Sequence, residues 1–227
     1  MSASASLNIK LLFKKTIYLV VLVWHSVCFS GSYDDFFVAI NRDDSELVAG
    51  LLQRGFDANT SNEHGESGLF LAIRASSAKV AAVLLNWPGT TVEVRTLNDE
   101  SPLMLAALKG WTEFCQKLIA RGADVNKPGW APLHYAATNG HLAVMALLLD
   151  EHAYIDATSP NGTTPLMMAA HYGTSAAVNL LLEAGADPAL RNDLGLSALD
   201  FAQQAGRTEA AEIIAGTIRR NQPKGSW

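Results

Sequence analysis

From about residue 33 to residue 220 the apolar positions fall into one short phrase that recurs along the chain. Its clearest copy is Thr164-Pro165-Leu166-Met167-Met168-Ala169-Ala170, followed by Gly173, by Leu180-Leu181-Leu182 and by Gly185-Ala186-Asp187. The phrase starts again at Ala131, with Gly140 and Leu147-Leu148-Leu149, and at Ser101, with Gly110, Leu118-Ile119 and Gly122-Ala123-Asp124. Weaker copies start at Ser67 and Ser197, and a decayed one at Asp34. Each copy predicts a pair of short helices: a first one kept thin by paired Ala, and a second one buried by its Leu run.

The punctuation has physical reasons. Pro102, Pro132 and Pro165 suit a first helical turn, where a missing N–H costs nothing. Ser67, Ser101, Thr164 and Ser197 precede those starts and can accept an orphan N–H. Gly110, Gly140, Gly173 and Gly206 fall between the two helices, where a left-handed residue is expected. Gly55, Gly122 and Gly185 are placed to end the second helix as left-handed caps.

The starts at 34, 67, 101, 131, 164 and 197 are 33, 34, 30, 33 and 33 residues apart. This period and the phrase Thr-Pro-Leu-His-x-Ala are those of ankyrin repeats, and the chain resembles that family over most of its length. The resemblance implies an all-α solenoid of about six helix-turn-helix units with projecting β-turn fingers. It also implies binding of a protein partner through a concave groove and the finger turns, by a monomer without cofactor or metal.

The departures from the phrase are informative. Asp34 to about Gly65 reads as a polar N-terminal cap. The second unit has Gly68 in place of Pro, Ser76-Ser77 in place of the interhelical Gly, and Asn86-Trp87-Pro88-Gly89 in place of the helix-ending Gly. It should be the least regular, with Val92-Glu93-Val94 extending as its finger. In the third unit Trp111 is expected to pack on the shoulder of the core, and Cys115 to be a buried, inert thiol. That unit ends three residues short, between Gly122 and Ala131, which predicts a notch in the row of fingers beside Trp130. In the fourth, His134 holds the family's His place without the usual Thr ahead of it. It reads as a satisfied structural histidine. Residues 221–227 read as a frayed tail.

Mapped onto this sequence, the resemblance offers turn and groove positions as partner contacts: Arg74, Leu108, Lys109, Lys127, Trp130, Thr138, Asn139, Asn161, Thr163, His171 and Tyr172. The finger residues His64, Glu66, Asp99 and Glu100 belong with them. Trp130 leads, because aromatic residues carry a large share of interface energy. The competing reading is that Trp130 folds back and plugs the gap left by the short turn.

Composition narrows the function. The net charge is −5, so no broad basic surface invites nucleic acid. The six histidines (25, 64, 134, 141, 152 and 171) are scattered, and no H-E-x-x-H, Walker A, G-x-S-x-G or G-x-G-x-x-G is present. The reading is therefore a non-enzymatic protein–protein interaction module, with an enzyme or redox factor as the alternative class.

The first residues are Ser/Ala-rich, then basic (Lys10, Lys14, Lys15), then apolar from Ile17 to Phe29, then small (Ser30-Gly31-Ser32). That order is the one of a secretory signal peptide over 1–32. It predicts export, with the folded domain at 33–220, a bacterial source and a periplasmic or secreted location. Cys28 would leave with the leader. Counting Leu11–Phe29 as one span gives one alternative, an uncleaved anchor holding the same module at the inner membrane, and a cytosolic chain with an apolar leader is the other. Without its leader the chain has 14 basic against 22 acidic residues, which favours a basic or apolar partner.

Overall fold

The computed structural model describes residues 31–221. The leader, Cys28 and the segment after Asn221 lie outside the described residues, so the cleavage, anchor and tail expectations are not addressed by it. Among the described residues there are twelve helices and no strand. They pair into six units. Helix α1 covers 31–42 and is followed by α2 (Ser45–Gln53). The next pairs are α3 (Gly68–Arg74) with α4 (Ala78–Asn86), α5 (Pro102–Lys109) with α6 (Thr112–Ala120), and α7 (Pro132–Asn139) with α8 (Leu142–Asp150). The last are α9 (Pro165–His171) with α10 (Ser175–Glu183), and α11 (Ala198–Gln204) with α12 (Thr208–Asn221). No described helix is long and apolar enough to cross a membrane.

The first helices stack in one layer, α3 on α5, α5 on α7, α7 on α9 and α9 on α11. The second helices stack behind them. The small residues explain the close approach: Ala72, Ala106, Ala107, Ala136, Ala137, Ala169, Ala170 and Ala202 are all buried between layers. The second helices fill the rest with Val80, Leu84, Cys115, Leu118, Val144, Leu148, Val178, Leu181 and Ile214. One apolar seam thus runs from Phe36 to Ile214.

The helix starts behave as the phrase dictates. Ser67, Ser101, Thr164 and Ser197 accept from the backbone N–H groups of Phe70, Met104, Met167 and Asp200. Each such cap is worth about 1 kcal/mol. The third helical residue reciprocates. Met104 Sδ accepts from Ser101 N at 3.3 Å, Met167 Sδ from Thr164 N at 3.4 Å, and Asp200 Oδ2 from Ser197 N at 2.8 Å.

The glycines divide into two kinds. Gly110, Gly140 and Gly206 are left-handed (φ 71°, 67° and 67°), as are the helix-ending Gly55, Gly122 and Gly185. Gly173 is not, which corrects the expectation for it. Its need is space: a Cβ there would meet the Ala137 carbonyl oxygen and lie 2.9 Å from that of Ala169. Gly68 is of the same kind. A Cβ there would lie 2.5 Å from Phe36 Cζ, so the Pro of the phrase is absent because a buried ring of the cap occupies its place. Around Phe36, Tyr33, Phe37 and Phe56 form an aromatic cluster with centroids 4.8–5.2 Å apart, which makes the first unit more apolar inside than its acidic surface suggests.

The second unit departs from the others at its end, where α4 closes on Trp87 with no left-handed cap. Val92-Glu93-Val94 forms no strand, and Val92 is buried. The missing helix-ending Gly is offset from the next unit. Arg121 donates Nη1 to the Leu85 carbonyl and Nη2 to the Thr90 carbonyl at 2.7 Å.

Candidate functional site

Two surfaces carry the sequence candidates: the exposed side of the first helices, and the turns before them. At the fifth position of the phrase the first helices place Leu71, Leu105, Tyr135, Met168 and Phe201 in one register, most of them half-buried. Beside this row Arg74 is exposed and pairs with Glu66, Nη1 with Oε1 and Nη2 with Oε2 at 3.0 Å, over the Phe70 ring. Burial pulls the Glu66 carboxyl up, but the Asn62 amide and the Arg74 guanidinium together hold it below its ordinary value. Burial and the neighbouring Glu100 push Tyr135 up to about 12, so its phenol stays protonated. At the far end His171 lies between Tyr172 (4.2 Å) and Phe201 (5.8 Å), and Tyr172 is 55% exposed.

Several groove candidates are tied up between units. Asn139 and His141 both bond the Leu108 carbonyl, at 2.7 and 2.9 Å. Lys109 Nζ donates to Ser76 Oγ at 2.7 Å. Thr138 Oγ1 donates to the His134 carbonyl on its own helix. Asn161 is exposed, and its Oδ1 accepts from Ser159 Oγ at 2.6 Å.

Two candidates are not where open finger positions would put them. Lys127 is 4% exposed: its ammonium pairs with Asp99 and donates to the Pro128 carbonyl at 2.9 Å. The same ammonium is the largest influence on Asp99, holding that carboxyl below its usual range. Thr163 is 3% exposed, with its N–H bonded to Ser159 Oγ and its carbonyl to His134 Nε2.

Trp130 takes neither of its two alternatives in full. It is half-buried and stands edge-on against His134, centroids 5.3 Å apart. Between this turn and the next lies a depression of about 610 Å³, lined by Asn126, Lys127, Pro128, Gly129 and 154–158 and not by Trp130. His134 is fully buried, with Nδ1 accepting from Ala131 N at 3.1 Å and Nε2 facing the Thr163 carbonyl at 3.0 Å. Burial lowers its pKa against the pull of those backbone bonds.

That histidine makes a pH prediction. Since the folded pKa lies below the ordinary 6.5, the unfolded chain binds more protons between the two values. Stability should be complete above the unfolded value and fall as pH drops through it. Denaturant midpoints measured from pH 7.5 to 5.5 should show this, and His134→Met should flatten the slope, because Met104 and Met167 fill the same place.

Sequence reasoning missed a latch that joins consecutive units. Asn59 donates to the Gly89 carbonyl at 2.8 Å and accepts from Thr91 N at 2.8 Å. Asn126 does the same with the His152 carbonyl and Tyr154 N, both at 2.7 Å. Between them Glu93 only accepts, its Oε2 from Asp124 N at 3.0 Å, and Asp156 stands in the fourth copy. It only accepts, both oxygens from Asp187 N at 3.2 Å, and burial together with the Asp187 charge raises its pKa. Asp156→Asn should restore the donor and stabilise the protein by about 1 kcal/mol in urea unfolding.

Cys115 is fully buried, and burial pushes its thiol up to about 12. No group of three metal-ligating side chains occurs among the described residues.

Comparisons with known proteins agree with the architecture. A family profile described as ankyrin repeats, three copies long, matches residues 88–159 and 147–222, together more than half of the chain. The chain is 32% identical over 162 residues to the nuclear factor NF-kappa-B p105 subunit of Gallus gallus, covering 68% of this chain and 16% of that protein. It is 31% identical over 167 residues to the putative palmitoyltransferase ZDHHC13 of Danio rerio, covering 73% and 21%. It is 29% identical over 154 residues to the B-cell lymphoma 3 protein homolog of Mus musculus, covering 65% and 34%. The matched stretch is thus no more than about a third of the length of any of these relatives. With six helix pairs on one seam, their phrase capped and spaced as described, and the profile spanning its last four units, this chain belongs to the ankyrin-repeat family.

Proposed function

We propose that the protein is a non-enzymatic module that binds a protein partner across its first helices and finger turns. Repeats of this family generally mediate protein–protein binding. The observation that carries the reading here is the row Leu71, Leu105, Tyr135, Met168 and Phe201, bordered by exposed Arg74 and Tyr172. An apolar strip with Arg and Tyr at its margins has the composition of an interface centre. Among the sequence candidates, Arg74, Tyr172, His171, Asn161 and Trp130 keep accessible side-chain surface. Leu108, Lys109 and Asn139 border the row while bracing neighbouring units, Thr138 bonds its own helix, and Lys127 and Thr163 support the turns from within.

A photoreactive residue at Tyr172 tests this. It should cross-link a partner that the same label at Asn179, on the exposed side of α10, does not capture. Arg74→Ala and Tyr172→Ala should then weaken that partner's binding by about tenfold each, as interface anchors do. Equal capture from both labels would reject the groove.

The compartment is a separate proposal. The order basic, apolar, small in the leader supports export, to the periplasm or the medium. The alternative, a membrane-held module, rests on the apolar run Leu11–Phe29. The relatives named above are animal proteins and give the bacterial source no support. Intact mass separates the two locations: loss of about 30 N-terminal residues means export with cleavage. A full-length chain in the membrane fraction means tethering.

A further inference from the structure

Most of units four and five, up to Arg191, carries no Lys or Arg. From Pro128 to Leu190 the sequence contains neither, while Asp150, Glu151, Asp156, Glu183 and Asp187 all fall within it. The fold gathers these acids at one edge. Asp150 ends α8 and Glu151 follows it, Glu183 ends α10, and Asp156 and Asp187 lie in the loops after those helices. Among the described residues no ion pair reaches any of the five.

The depression between the loops after α6 and α8 opens on this same edge. Its walls are Pro128, Gly129, Ile155 and Ala157, and Tyr154 stands beside them, 67% exposed. Lys127 also contributes to the lining, but its side chain is 2% exposed and its charge is met by Asp99. Asp156 is the lining carboxylate left without a cation.

We propose that this depression is a docking site for a basic segment of a partner protein. One apolar side chain of that segment packs on Pro128, Ile155 and Ala157, and a neighbouring Lys or Arg reaches Asp156 with Tyr154 against it. Charge complementarity selects the occupant: an anionic edge beside an apolar hollow attracts cations and repels acids. The exposed tyrosine adds a face on which a guanidinium can stack. Burial and Asp187 already disfavour the charged form of Asp156, and a docked cation would relieve that. The site lies in the loops after the second helices. It belongs to the finger turns of the proposed binding surface and rests on that reading, but it lies apart from the first-helix row, so either can fail without the other.

The probe is the peptide acetyl-Leu-Arg-Pro-Leu-amide, titrated into the protein while its amide chemical shifts are followed, with acetyl-Leu-Glu-Pro-Leu-amide as control. The Arg peptide should move the amides of Asn126, Lys127, Gly129 and Tyr154–Thr158, and the Glu peptide should not. Affinity should fall at least about fivefold when salt rises from about 0.02 M to about 0.5 M, as screening requires. Asp156→Asn and Tyr154→Ala should each lower it by a similar factor. The first of these is expected to stabilise the fold, so a loss of binding there is not a loss of structure. Equal shifts with both peptides, unchanged affinity in Asp156→Asn, or shifts confined to the first-helix row around Met168 and Tyr172 would overturn the proposal. Shifts at these amides that appear with protein concentration alone would also overturn it, since the occupant would be a second copy of the chain.

Discussion

Gly173→Ala is expected to destabilise the protein by about 3 kcal/mol, the upper end of the range for overpacking. The new methyl would meet two backbone carbonyls, those of Ala137 and Ala169, and neither can rotate away as a side chain would. One of them belongs to the preceding unit, so the clash falls across the seam between units four and five. Gly185→Ala is the control. It is left-handed at φ 101° with nothing within 4 Å of the added carbon, so it should cost only about 1–2 kcal/mol of backbone strain. The equivalent place in unit four is held by His152 at φ 64°, which shows the fold accepts that strain. Urea midpoints of the two variants should be well separated, Gly173→Ala unfolding first.

Phe36→Ala should cost roughly 3–5 kcal/mol, as emptying a buried aromatic site does. The ring is fully buried, touches Phe37 and Phe56, and fills the space above Gly68. Gly68→Ala alone should cost about 1–3 kcal/mol, because its methyl lands on that ring. The two changes should not add. With the ring gone the methyl enters a vacated space, so the double variant should be more stable than the sum of the two losses by at least about 1 kcal/mol. Strict additivity would mean that Phe36 does not explain the missing proline.

The stack was legible in the sequence because its anchors repeat. A Pro at a helix start, an Ala pair and a Leu run each signal one local requirement, and six copies at nearly constant spacing leave little else they could build. What was not legible depends on contacts between residues about 30 apart. Gly173 aligns with left-handed glycines, and only the approach of the preceding unit shows that it serves a different need. Lys127 looks like a finger residue until its amine pairs with Asp99. Thr163 looks exposed until His134 claims its carbonyl. The latch at Asn59, Glu93, Asn126 and Asp156 is a single polar residue in each of the first four units, too slight to stand out from ordinary loop composition. The cation-free stretch from 128 to 190 was countable in the sequence, but its acids could be placed on one edge only once the helix ends were known. Side chains bordering the groove could be named from their register. Which of them are free and which brace a neighbour is decided by hydrogen bonds that no spacing reveals.

The most direct measurement of the central claim is native-state hydrogen exchange across the whole repeat array. If a single seam joins all six units through the shortened turn, the slowest amides should lie in the central helices α5 to α10. Protection should decline smoothly toward α1 and α12, with no step between Gly122 and Ala131. Two blocks exchanging with different energies on either side of that turn would contradict it, and the chain would then be two short stacks joined by a linker.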